Sequence, residues 1–206
     1  MNRKAFNRIN YGLFLVGSVL EGKYQGCVVN SLHQITSTNP AKFSLSLNKS
    51  NETYKAVEAA GSFAATVLER GTPKELVDLF GYKSGRVVNK YEGFQVETDG
   101  AGNPYLKDHA LARISCKIVD KLDLGSYVLF VCEATEAEVL GEGAAMTLDD
   151  YRGEGGATPA AATVVRIVEE VAWRCTICGY IAERETLPDD YRCPICRAPK
   201  DKFEKM

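Results

Sequence analysis

The stretch Cys175-Thr176-Ile177-Cys178-Gly179-Tyr180, answered by Cys193-Pro194-Ile195-Cys196 with fourteen residues between Cys178 and Cys193, decides what the C-terminal end of this chain folds into. A two-residue spacing lets the backbone curl until both sulfurs face one point, and two such pairs set four thiolates around one tetrahedral metal ion. Gly179 can take positive φ just after the first knuckle, and Pro194 pre-sets φ inside the second. A segment this short buries too little apolar surface to fold alone, so the metal supplies much of its folding energy. Four thiolates suit iron and zinc alike.

Immediately upstream, Val164 to Val171 reads as a strand running directly into Trp173-Arg174-Cys175, and residues 141–163 are rich in Gly, Ala, Thr and Pro. A boundary near residue 170 therefore divides the chain into a domain over 1–170 and a module over 171–206, joined by a short connection. Further upstream the pattern is one of short strands and turns. Gly12 to Leu20 reads as a buried strand, Glu21-Gly22-Lys23 as a turn, and Tyr24 to Asn30 as the second arm of a hairpin. Phe43, Leu45 and Leu47 alternate with polar residues, the period of a half-buried strand. Thr53 to Ala60 is expected to be a short helix, Phe63 to Leu68 a strand, and Pro73 to Phe80 a helix opened by its proline. Leu111 to Val119 and Ser126 to Leu140 complete the strands, joined at Asp123-Leu124-Gly125. Many short strands with few helices predict a mainly β barrel or sandwich.

Composition narrows the function classes. The 206 residues carry 25% charged side chains and a net charge of −2, without the basic stripe of a nucleic-acid binder. No apolar run is long enough to cross a bilayer, and none follows the basic N-terminus as in a signal peptide, so the expected location is cytoplasmic. Of seven cysteines, Cys27, Cys116 and Cys132 are scattered through strand-like surroundings and read as small buried residues. An odd total without a secretion signal argues against a disulfide framework.

Two polar clusters interrupt the strands. Gly26-Cys27-Val28-Val29-Asn30-Ser31-Leu32-His33-Gln34-Ile35-Thr36-Ser37 offers hydroxyls, amides and backbone N–H groups to the polar edge of a flat ring or a phosphate. Asn48-Lys49-Ser50-Asn51-Glu52-Thr53 joins a cation and hydroxyls to a helix start, which suits a phosphate. The same pattern is met by Asn51 or Thr53 serving only as an N-cap. Lys83, Arg86 and Lys90 read as solvated surface charges, with binding of nicotinamide phosphates as the other option.

The cysteine motifs, together with Leu187-Pro188-Asp189-Asp190-Tyr191-Arg192 and Pro199-Lys200-Asp201-Lys202-Phe203-Glu204, resemble the rubredoxin family. That resemblance implies a one-electron iron at Cys175, Cys178, Cys193 and Cys196, with Trp173, Tyr180, Tyr191 and Phe203 beside it. The segment between the pairs is shorter than in most free-standing rubredoxins. Arg197 stands where the family usually has Gly, which bears on the turn and on N–H···S bonding there.

The N-terminal part resembles the flavin reductase family over nearly all of residues 5–165. The likeness rests on Ile9-Asn10-Tyr11-Gly12-Leu13, Asn30-Ser31, the Asn48–Thr53 cluster, Gly61-Ser62-Phe63, Phe80-Gly81-Tyr82-Lys83-Ser84-Gly85 and Leu148-Asp149-Asp150-Tyr151-Arg152. It implies an FMN-binding split β-barrel, a homodimer, and FMN near the subunit interface. By position, Asn30, Ser31, Gln34, Thr36 and Ser37 would contact the isoalloxazine and ribityl parts, and Asn48, Lys49, Asn51 and Thr53 the phosphate. Gly125-Ser126-Tyr127 replaces a family sequence that ends in histidine, so Tyr127 must substitute or hydride entry must differ. His109 is expected to be structural or at the cleft rim.

The two halves together resemble the high-molecular-weight rubredoxins. The expectation is an NAD(P)H-dependent, FMN- and iron-containing oxidoreductase that delivers electrons to a redox protein such as a flavo-diiron oxygen or nitric oxide reductase. Other readings fit the same residues: a reductase supplying free FMNH₂, an electron shuttle reduced by a separate reductase, or a ligand-sensing barrel with a structural zinc ribbon.

Overall fold

The computed structural model describes residues 3–153, 172–183 and 186–205. The larger unit is built on one antiparallel, curled sheet. Strands β1 (Phe14–Leu20) and β2 (Lys23–Val29) form the expected hairpin, closed by Glu21 and Gly22, both at positive φ. Strand β3 (Leu32–Gln34) pairs with β4 (Lys42–Asn48), whose Leu45 and Leu47 are buried while Ser44 and Ser46 are not. Helix α1 (Glu52–Ala60) follows, then β5 (Ser62–Leu68), helix α2 (Lys74–Tyr82), and the short pair β6 (Val96–Thr98) and β7 (Pro104–Leu106). Two long strands, β8 (Ala110–Asp123) and β9 (Tyr127–Val139), pair along their length, with register shifts at Ser115/Cys116 and Ile118/Asp120. The order across the sheet is β2-β1-β5-β8-β9-β4-β3.

Two apolar clusters hold this unit. One joins Leu13, Leu15 and Val28 to Leu76, Val77 and Phe80 of α2. The other joins Val16, Val29, Leu45, Phe63 and Phe130 to Val57 of α1. Cys27, Cys116 and Cys132 lie buried as small core residues, as their surroundings predict. Helix α3 (Leu148–Arg152) is fixed by a capping box between Thr147 and Asp150. Its Leu148 N–H donates to the Tyr11 carbonyl at 2.7 Å, which ties the chain's start to the end of this unit.

The small module is a three-stranded sheet of β10 (Ala172–Cys175), β11 (Ile181–Glu183) and β12 (Phe203–Lys205), with β10 central. Cys175, Ala182, Leu187, Cys193, Ala198 and Phe203 form its core, flanked by Trp173, Tyr180 and Tyr191. The expected strand over Val164–Val171 and the expected boundary near 170 lie outside the described residues. Among the described residues, no helix is long and apolar enough to cross a membrane.

Candidate functional site

The two knuckles of the small module are built alike. Gly179 N–H donates to the Cys175 carbonyl at 2.8 Å and Arg197 N–H to the Cys193 carbonyl at 2.9 Å. Cys175 and Cys193 N–H groups in turn donate to the Tyr180 and Ala198 carbonyls, each at 2.8 Å. Gly179 sits at φ 77° and Arg197 at φ 62°, so Arg197 takes the left-handed conformation of the glycine it replaces and the turn is kept. The N–H···S bonding survives too. Backbone N–H groups of Ile177 and Cys178 reach the Cys175 sulfur, that of Tyr180 reaches Cys178, and that of Ala198 reaches Cys196.

All four sulfurs lie within 4.8 Å of one another, with Cys175–Cys196 at 3.6 Å and Cys178–Cys193 at 3.5 Å. Metal–sulfur bonds of about 2.3 Å place tetrahedral sulfurs about 3.8 Å apart, so this set fits one four-coordinate ion. Burial pushes the Cys175 and Cys178 thiols up. At Cys196 burial acts the same way, but the Ala198 N–H and the neighbouring sulfurs outweigh it and bring the thiol below its ordinary range. Cys175 and Cys193 are buried, whereas Cys178 and Cys196 are partly open.

The module rests on the larger unit. Lys83 Nζ donates to the Ile195 carbonyl at 2.8 Å, and Ile195 packs against both the α2 cluster and the module's own core. Between the two units lies a cleft of about 140 Å³. Its barrel side is formed by Asn48, Ser50, Asn51 and Glu52 ahead of α1, and by residues 80–84, Arg86 and Lys90. Its module side is formed by Arg174 and the first knuckle, including Cys178.

The residues singled out in the sequence fall in several places. Asn48 and Asn51 line the cleft; Asn48 Oδ1 accepts from Ser50, and Asn51 Oδ1 caps α1 by accepting the Thr53 N–H at 3.1 Å. Thr53 is buried behind the cap, near the Cys27 thiol. Lys49 Nζ meets both carboxylate oxygens of Asp123 at 2.7 Å. Tyr127 pairs with Asn48 across β9 and β4, so the place expected of a histidine adjoins this loop.

Asn30, Ser31, Gln34, Thr36 and Ser37 do not line the cleft. Asn30 and Ser31 are buried, with Ser31 Oγ donating to the Ser46 carbonyl at 2.7 Å. Gln34 and Ser37 are exposed, Gln34 Nε2 donates to the Thr36 carbonyl, and Thr36 Oγ1 accepts the Lys42 N–H. His109, at φ 60°, pairs with Glu69 at 2.9 Å in a turn and does not line the cleft.

One expectation is overturned. Lys83 and Arg86 are exposed, but Lys90 is no solvated surface charge: it is 5% exposed, and its ammonium donates to the carbonyls of Gly26 and Phe80. Asn89-Lys90-Tyr91 carries no periodic signal, and only the packing of α2 against β2 reveals the burial.

The family model for the flavin reductase like domain matches residues 6–157, and that for the rubrerythrin, rubredoxin-like domain matches residues 173–204. A high molecular weight rubredoxin of Moorella thermoacetica is 34% identical over the whole of both chains. A ferric-chelate reductase (NAD(P)H) of Archaeoglobus fulgidus is 39% identical over 80% of this chain and 97% of its own length. Among solved structures, an NADH:FAD oxidoreductase of Streptomyces globisporus superposes with a TM-score of 0.65, covering 73% of this chain and 88% of its own at 20% identity, a likeness of fold.

Proposed function

This chain belongs to the flavin reductase-like family and ends in a rubredoxin-like domain, and we propose that it passes electrons from NAD(P)H through FMN to a rubredoxin-type iron. From there they go to a redox protein, such as a flavo-diiron oxygen or nitric oxide reductase. The observation that carries the reading is the shared cleft: Cys178, a partly open metal ligand, and the polar loop ahead of α1 line the same space. When bound, FMN accepts the two electrons of a hydride and releases them singly, which suits a one-electron iron. The similarity to the NAD(P)H ferric-chelate reductase of Archaeoglobus fulgidus supports a nicotinamide donor.

The residues proposed to hold the flavin are Asn30, Ser31, Gln34, Thr36 and Ser37 for the ring and ribityl chain, and Asn48, Lys49, Asn51 and Thr53 for the phosphate. The proposed domains are 1–170 and 171–206. A homodimer is supported by apolar side chains left open on the β8–β9 hairpin and the adjoining turn, Val119, Leu122 and Leu124 at 43, 58 and 53% exposure, and by Ile35 at 50% beside the edge strand β3.

Purified protein should hold one iron per chain, with a ferric-thiolate absorbance. Anaerobic mixing with NADH should bleach the flavin first and the iron second. Stoichiometric zinc from iron-replete cells would overturn the iron. Flavin that NADH never reduces would favour the second reading, an electron shuttle fed by a separate reductase, for which Tyr127 in the family's histidine place is the motive.

A further inference from the structure

Lys90 is a buried cation that no described carboxylate pairs with. Its ammonium has the carbonyls of Gly26 at 2.8 Å and Phe80 at 3.0 Å, neutral partners both. Arg113, the other buried cation described, meets two carboxylates, Glu136 and Glu138. A buried charge without an opposite charge is costly, and burial brings the Lys90 ammonium down to about 8.

Lys90 also lines the cleft between the units. Four cations line that cleft, Lys83, Arg86 and Lys90 from the barrel and Arg174 from the module, against one carboxylate, Glu52. Glu52 is already engaged by Arg86 and Lys55. Ser84 Oγ accepts the Arg86 N–H, leaving its own proton to donate. In a chain of net charge −2, this local excess of positive charge is complementary to an anion.

We propose that the cleft is an interdomain clamp for a phosphate monoester, with Lys90 as its floor and Arg174 as its roof, so that the ligand's phosphate ties the metal module to the barrel. For the flavin as ligand this rests on the reading above; the 2′-phosphate of NADPH presents the same chemistry.

The test uses full-length, metal-loaded protein as wild type, Lys90→Met and Arg174→Met. Inorganic phosphate should raise the thermal midpoint of the wild type, and both variants should lose that rise. Wild type should prefer FMN to riboflavin, and each variant should cut that preference about tenfold or more, as loss of one charge-assisted contact implies. If the flavin preference survives while a preference for NADPH over NADH collapses, the clamp holds the dinucleotide's phosphate. If both variants keep the phosphate-induced rise, there is no clamp. A wild type that binds no flavin would defeat the functional reading, and the inorganic-phosphate arm would still decide this one. Should Lys90→Met fail to fold, Arg174→Met decides alone.

Discussion

At the scale of the residue, two side chains occupy positions their chemistry resists. Arg197 sits at φ 62°, where an L residue is strained by about 1–2 kcal/mol and glycine is not. Arg197→Gly should therefore stabilise the module, by roughly 1 kcal/mol after glycine's extra chain entropy is set against the relief. The measurement is the chelator concentration needed to release the metal, which should rise; an unchanged or lower value would show that the arginine is not strained. Lys90 is the second case. Below about 8 it is charged in folded and unfolded chains alike, and its burial costs stability. Between about 8 and the 10.5 of a free lysine, only the unfolded chain keeps the proton, so stability rises with pH across that window. Lys90→Met removes this titration. Urea unfolding should thus show the wild type gaining on Lys90→Met as pH rises from about 8 to about 10, by an amount of the order of 3 kcal/mol at most. A difference independent of pH would mean Lys90 is not held low.

At the scale of the element, the loop between β4 and α1 does two jobs at once. Asn51 caps the helix, and Lys49 is drawn sideways to Asp123 near the end of β8. If Lys49 serves the flavin phosphate, this largely exposed pair, worth at most about 1 kcal/mol, must open first. Lys49→Ala should then weaken FMN binding, by up to about 1.5–3 kcal/mol, whereas Asp123→Asn should strengthen it by a few tenths to about 1 kcal/mol. Riboflavin should respond to neither. Two variants that move FMN affinity in the same direction would remove Lys49 from the phosphate site.

The same elements mark what a sequence can disclose. Knuckles, the β1–β2 hairpin, the alternation of β4 and the cap of α1 are local patterns, and each was readable. Strands β3, β6 and β7 have three residues apiece, too few to establish a period of two. Helix α3 has five residues, held by its box and by the Tyr11 carbonyl rather than by any periodic face. The burial of Lys90 is not legible in this way, because it depends on a strand, β2, whose Gly26 carbonyl lies 64 residues away in sequence.

At the scale of the whole molecule, the open question is whose flavin serves whose iron. Within one chain, Lys83 holds the Ile195 carbonyl, Ile195 packs on the α2 cluster, and Cys178 faces the cleft beside the α1 loop. These contacts dock the second knuckle on the barrel of its own chain and turn the first toward that barrel's polar loop. Transfer within a chain should therefore dominate even in a homodimer. Mixed dimers, one subunit unable to bind FMN and the other carrying Cys178→Ser, leave only the cross-subunit route. Under anaerobic NADH they should reduce their remaining iron far more slowly than wild type. Lys83→Met supplies the complementary measurement. Losing one hydrogen bond, worth about 1 kcal/mol, raises the undocked population roughly fivefold. Because Lys83 also lines the cleft, the comparison is made at saturating FMN and NADH, where the variant should slow bleaching of the iron more than it slows bleaching of the flavin. Fast iron reduction in the mixed dimers, with Lys83→Met indistinguishable from wild type, would instead assign the productive contact to the partner's barrel.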